Sequence, residues 1–136
     1  ERLKKEAEEK ARLEEIVGNP ITKSRQHFLK LRFPDTFRTL ESCGILEDYT
    51  LGWPDEVGFR ASITTPFPFY DLGQERESKL IIHPLHVMDG ALLRCCNSQD
   101  EYELTISELR RYAKQYGGEF VTLQHNSAGV QIMALQ

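Results

Sequence analysis

The segment FPDTFRTLESCGILEDYT (residues 33–50) combines a helix with a strand and decides the fold class. Pro34 suits the first turn of a helix, and apolar residues then recur at helical spacing. Gly44 ends this helix, because glycine readily adopts the left-handed conformation found beyond helix ends. ILEDYT (residues 45–50) then predicts a short strand. A helix followed directly by a strand indicates an α/β domain.

The residues before this segment extend the alternation. Residues 1–17 are rich in strong helix formers, and Gly18 marks the end of the helix that they predict. Its apolar stripe is thin, so we expect it to cover another element with one face. Residues 21–29 (ITKSRQHFL) predict a strand.

A long irregular loop is predicted after the central strand, over residues 51–78. Loops of this length inside a compact domain are usually functional or disordered. The many aromatic side chains in this one argue against disorder.

Beyond the loop, the alternation resumes. Residues 79–90 form an apolar segment, Thr105-x-x-Glu108 resembles a capping box in front of a last helix, and residues 119–123 predict a last strand. This order predicts one domain with a parallel sheet or a barrel.

Composition excludes several classes of partner. The 136 residues carry a net charge of −4 without a basic stripe, which argues against nucleic acid. No apolar run approaches the roughly 20 residues of a membrane span. Three cysteines lack the spacing of a metal site and favour a reducing compartment, so we expect a cytoplasmic protein.

Polar side chains lie at or near the predicted strand ends. In parallel sheets the strand ends that precede helices gather on one side, where ligands bind. The residues expected there are Arg25, His27, Asp48, Asp89 and His125. For Arg25 the structural alternative is a salt bridge, and for His125 it is a hydrogen-bonded histidine that caps a strand.

Three longer segments resemble the polysaccharide deacetylase domain of carbohydrate esterase family four, in a bacterial subgroup. They are SRQHFLKLRFPDTFRTLESCGILEDYTLGWPDEVGFRASITTPFPFYDL (residues 24–72), IHPLHVMDGAL (residues 82–92) and FVTLQHN (residues 120–126). The likeness covers most of the chain. It implies the C-terminal half of a distorted (β/α) barrel with parallel strands and a long aromatic loop.

The resemblance also implies chemistry. Family members use a divalent metal, often zinc, to activate water that removes N- or O-acetyl groups from a saccharide. Their catalytic aspartate and metal ligands belong to two motifs expected before residue 1. We therefore expect this fragment to hold no metal, and to be inactive without the upstream half of the barrel.

Three further family motifs match this chain. Arg25 corresponds to an arginine that holds the catalytic carboxylate, although the proline and glycine usual around it are absent. Asp48 is the candidate for an acidic group near the site, with Asp89 as the competitor. His125, in Leu-x-His, corresponds to the histidine that protonates the departing amine.

Four residues are predicted to contact the substrate, an N-acetylated saccharide or a related small molecule: Arg60, Trp53, Asp89 and His27. Arg60 could equally pin the long loop, and the loop aromatics could form a small core of their own. His83 and His86 have a spacing that could suggest a metal pair. Pro84 rules out a regular helix between them, which favours core or surface histidines.

Two functions from other classes remain open. A catalytically dead module would bind saccharides through the aromatic loop. A structural or interaction domain would instead dock partners through the first helix, which carries many charged residues.

Overall fold

The computed structural model describes residues 2–126, which divide by their contacts into two compact units. The first unit contains the chain up to Thr50 together with Phe67–Ile82. The second contains Leu51–Pro66 and the chain from His83 onward. The prediction of one domain over the whole chain stays a prediction.

The first unit holds two helices and four strands. In chain order they are α1 (Arg2–Val17), β1 (Lys23–Ser24), α2 (Asp35–Ser42), β2 (Glu47–Asp48), β3 (Phe67–Asp71) and β4 (Arg76–Ile82). The strands form one sheet in the order β1-β2-β4-β3, parallel except for β3. The predicted α/β class with a mostly parallel sheet is therefore confirmed.

The second unit holds two strands and two helices. They are β5 (Val87–Met88), α3 (Asp89–Cys95), α4 (Gln99–Gln115) and β6 (Thr122–Leu123). β5 pairs with β6 in parallel, with Val87 opposite Thr122 and Met88 opposite Leu123. No helix within residues 2–126 is long and apolar enough to cross a membrane.

The predicted loop over residues 51–78 is wrong in its second half. Residues from Phe67 onward form the antiparallel pair of β3 and β4, whose register shifts between Pro68 and Tyr70. β3 lies at the edge of the sheet, where a missing proline N–H does not break a ladder on both sides. The sequence did not predict this strand because its proline and aromatic residues were interpreted as part of the loop.

The predicted strand over residues 21–29 is also shorter in the structure. Only Lys23–Ser24 pairs, and His27–Leu29 form a single 3-10 turn. Phe28 and Leu29 have positive φ angles of 58° and 51°, which are incompatible with a strand.

The predicted start of the last helix is wrong by almost two turns. α4 begins at Gln99, and the Ser98 side chain accepts a hydrogen bond from the Glu101 N–H at 3.2 Å. The Glu101 carboxylate reaches back to the Asn97 N–H at 2.7 Å, much as in a capping box. Thr105 lies inside the helix and donates to the Glu101 carbonyl.

Two arginine–carboxylate pairs fasten α2 and the β3–β4 hairpin together. Arg38 donates to both oxygens of Asp71 at 2.6 and 2.7 Å, and Arg76 donates to both oxygens of Glu41 at 2.7 and 3.1 Å. Asp71 also accepts the Gly73 N–H in the hairpin turn. Bidentate pairs of this kind are among the stronger hydrogen bonds in proteins.

We expect Asp71→Asn to lower the free energy of unfolding at neutral pH. The Arg38 pair outweighs burial and lowers the pKa of Asp71 from 3.8 to about 2. The stabilisation is therefore present above pH 3.8 and is lost as the pH falls through about 2. Urea unfolding should show a difference from wild type at pH 7 that shrinks toward pH 2.

Glu77→Gln is the matched control, because it removes the same charge from an exposed position on β4. It should change the free energy of unfolding by no more than about 0.5 kcal/mol. An effect of Asp71→Asn that equals the control, or that does not depend on pH, would contradict this account.

Candidate active site

Two polar residues stand at the C-terminal ends of the paired strands of the second unit. Asp89 follows β5 directly and is the first residue of α3. His125 comes two residues after β6. Because β5 and β6 are parallel and in register, both residues emerge at the same edge.

Asp89 and His125 form a double contact. The Asp89 Oδ1 atom lies 2.8 Å from His125 Nδ1, and its Oδ2 atom accepts the His125 backbone N–H. Oδ1 also accepts the Gly90 N–H at 2.7 Å. Burial raises the pKa of Asp89, but these hydrogen bonds outweigh it and hold the pKa below its ordinary value. The carboxylate is therefore ionised at neutral pH.

This contact sets the arrangement of hydrogen on the His125 ring. An ionised carboxylate can only accept, so Nδ1 carries a hydrogen that points to Asp89. Nε2 is then the ring nitrogen that can take up or release a proton. Asp89 is 2% exposed and the His125 side chain 53%, so a buried acid orients a ring that solvent can reach.

The approach to β6 is fixed by the end of α4. Gly117 has a φ of 74°, and the Gly118 N–H donates to the Ala113 carbonyl at 3.0 Å, as in a Schellman motif. The Glu119 N–H then donates to the Thr64 carbonyl at 3.0 Å. The chain thus leaves the helix in close contact with Thr64 before it enters β6.

A mostly apolar core supports this pair of strands. Its members are Val87, Leu92, Cys96, Tyr102 and Leu109, with Val57, Phe59, Ile106 and Phe120 packed against them. A separate cavity of about 420 Å³ in the same unit is lined by Phe59, Ser62, Ile63, Thr64, Thr65, Tyr112 and Tyr116. Neither Asp89 nor His125 lines that cavity.

Asp48 lies in the first unit and is fully buried. Its Oδ2 atom accepts the Ser24 hydroxyl at 2.6 Å and the Thr50 hydroxyl at 2.8 Å, and its Oδ1 atom accepts the Thr50 N–H. Burial raises the pKa of Asp48, although these bonds oppose the rise. The Thr50 hydroxyl also accepts the Gln26 N–H, so Asp48 joins the ends of β1 and β2.

Arg25 extends from the end of β1 and is exposed. Its Nε donates to the Tyr49 carbonyl at 3.2 Å, and it forms no ion pair within residues 2–126. Burial lowers the pKa of Arg25, and the charge of the nearby Asp48 opposes this change. The salt bridge that was the structural alternative for Arg25 is not seen in the described part of the chain.

The residues predicted to contact the substrate belong to both units. Arg60 donates to the Gly52 carbonyl at 2.9 Å and lies 4.6 Å from the centre of the Trp53 ring, so it ties the loop to itself. Trp53 remains 40% exposed. His27 lies in the first unit, exposed, with its ring 4.1 Å from that of Phe28. Their roles in binding stay predictions.

Two buried histidines belong to the same unit as His125, and their contacts were not expected. His83 Nδ1 lies 2.7 Å from Glu119 Oε2, and His86 Nδ1 accepts the Val121 N–H at 3.0 Å. Both histidines contact the segment that leads into β6. IHPLH is the sequence signal for them, but it does not reveal their partners.

A metal site requires several donor side chains close together. Within residues 2–126, no three His, Cys, Asp or Glu side chains are grouped so that they could hold a metal ion. The metal ligands that the family resemblance implies are expected before residue 1, and they stay a prediction.

Comparison with known proteins gives no match: no family model, no curated protein and no solved structure matches the chain.

We expect Gly118→Ala to destabilise the protein by about 1–3 kcal/mol, because an added Cβ overpacks the approach to β6. That atom would clash with Thr64 Oγ1 and with the Thr64 carbonyl carbon. At Gly90 the nearest atom would be Met88 Cε at 3.6 Å. Gly90→Ala should therefore change the stability by less than about 1 kcal/mol. Equal thermal unfolding of the two variants would contradict this packing.

Proposed function

We propose that the chain is the C-terminal part of a metal-dependent, polysaccharide deacetylase-like hydrolase that removes acetyl groups from a saccharide. The contact between Asp89 and His125 is the observation that carries the proposal. A buried carboxylate that orients a solvent-accessible histidine suits general acid catalysis, which needs a positioned proton donor. The family resemblance supplies the reaction class.

In the proposed reaction, His125 acts after the acetyl carbon has become tetrahedral. The bond between that carbon and the leaving nitrogen breaks, and the nitrogen takes the proton from His125 Nε2. The ring becomes neutral and keeps its Nδ1 hydrogen on Asp89. For an ester substrate, the same proton goes to the leaving oxygen.

Asp89 therefore takes the role of the acid that orients the catalytic histidine, for which Asp48 and Asp89 were competing candidates. Its carboxylate already contacts both the ring and the backbone of His125. Asp48 is engaged by Ser24 and Thr50 instead. In this proposal Asp48 fixes the strand ends next to Arg25.

Arg25 is proposed to hold the catalytic carboxylate of the parent protein. Its side chain is exposed, and it forms no ion pair within residues 2–126. A bidentate pair would keep that carboxylate ionised and oriented. The metal ligands would come from the upstream half of the parent, so the fragment alone should be inactive.

The proposed fold, a distorted (β/α) barrel, agrees with the roles proposed for these residues. The parallel strands β1, β2 and β4 and the parallel pair β5–β6 would be strands of a distorted (β/α) barrel. Catalytic groups of such barrels stand at the C-terminal ends of the strands. Asp48, Asp89 and His125 occupy such positions on their own strands.

The test is deacetylation of chitooligosaccharides by the parent protein with zinc. His125→Gln should lower kcat by about 10²- to 10⁴-fold, because it removes the general acid. Asp89→Asn should lower kcat by about 100-fold, because the ring loses its orientation. Release of acetate measures both effects.

Asp55→Asn is the matched control, since Asp55 is exposed and lies outside the proposed site. It should leave kcat unchanged. A parent protein that releases no acetate, or a His125→Gln variant with the kcat of wild type, would refute the proposed function.

A further inference from the structure

His86 lies immediately before β5 and makes two hydrogen bonds with Val121, which lies immediately before β6. The His86 backbone N–H donates to the Val121 carbonyl at 3.0 Å. In return, the Val121 N–H donates to His86 Nδ1 at 3.0 Å. The His86 side chain thus takes the acceptor role that a backbone carbonyl would fill in a longer strand pair.

The ring of His86 is held neutral and in one tautomer. It is 1% exposed, with the Phe59 ring centre at 4.9 Å and the Phe120 ring centre at 6.0 Å. This burial lowers the pKa of His86. Because Nδ1 accepts a hydrogen bond, the ring hydrogen is on Nε2, which has no hydrogen-bond partner among the described residues. Nδ1 is therefore the ring atom through which His86 holds Val121.

Four titratable or charged residues lie next to the residues that cover this ring. Glu119 precedes Phe120 and contacts His83, and Arg110 of α4 lies 5.5 Å from the Phe120 ring centre. Tyr112, also on α4, packs against Phe59. Neither carboxylate nor guanidinium forms a hydrogen bond with His86 Nε2.

We propose that His86 is a positioning residue that sets the register of β5 against β6 and thereby holds Asp89 against His125. The catalytic consequence rests on the function proposed above. Each strand contributes only two paired residues, so the ladder by itself defines the register weakly. A slip of one residue moves a strand by about 3.3 Å, which would break the 2.8 Å contact between the two side chains.

His86 is close along the chain to Asp89, so a change at His86 can directly alter the contact between Asp89 and His125. Two residues separate His86 from Asp89, and three separate Val121 from His125. The two hydrogen bonds between His86 and Val121, here called the clamp, therefore lie at one end of the short ladder. The contact between Asp89 and His125 lies at the other end. A change at the first end transmits to the second through the backbone.

The experiment compares two substitutions in the 136-residue chain. In His86→Asn, Oδ1 can take the place of Nδ1 and accept the Val121 N–H. His86→Leu has a similar size and no acceptor. The readout is the Nδ1–H resonance of His125 in protein with ¹⁵N-labelled histidine, which reports the bond to Asp89.

Wild type and His86→Asn should show this resonance, and His86→Leu should lose it while its amide spectrum remains that of a folded protein. If His86→Leu does not fold, His86→Met serves in its place. A folded Leu or Met variant that keeps the resonance, or a folded Asn variant that lacks it, would overturn the proposal.

In the parent protein, His86→Leu should lower kcat by about 100-fold with an unchanged KM, and His86→Asn should restore most of it. The two readouts separate the claims. Absence of any deacetylase activity refutes the proposed function alone, because the resonance still tests the positioning role. Equal kcat values for Leu and Asn in an active parent refute the positioning role alone.

Discussion

Buried carboxylates at strand ends are the constraint on which this structure depends. Asp48, Asp71 and Asp89 are each at most 2% exposed, and each ends a strand or follows one directly. A buried carboxylate is tolerated only when donors surround it. In every case some donors come from a distant part of the chain, so satisfying the acid also fixes the tertiary structure.

The three carboxylates accept hydrogen bonds from different kinds of donor, and this difference affects the direction in which each pKa shifts. The guanidinium of Arg38 lowers the pKa of Asp71, whereas for Asp48 burial outweighs the donors from Ser24 and Thr50 and the charge of Arg25, so its pKa rises. Among residues 2–126, the donors to Asp89 are two backbone N–H groups and the ring of His125. Of the three acids, it is the one hydrogen-bonded to a histidine ring.

The second unit positions the pair of Asp89 and His125 with little regular structure. Two strands of two residues each carry Asp89 and His125 to one edge. The precision therefore comes from contacts outside the ladder: the close approach of Gly118 to Thr64, and the clamp between His86 and Val121. Such supporting contacts decide how well a catalytic group is oriented.

The sequence by itself determined the elements whose signals are local. α1, the glycine at the end of α2, the short strand at Glu47–Asp48 and the polar residues at strand ends all follow from neighbouring residues. Only the tertiary structure decided that β3 is an edge strand, that α4 begins at Gln99, and that Asp89 contacts His125. Asp89 and His125 are 36 residues apart, and their contact depends on the register of two strands that propensity and spacing do not encode.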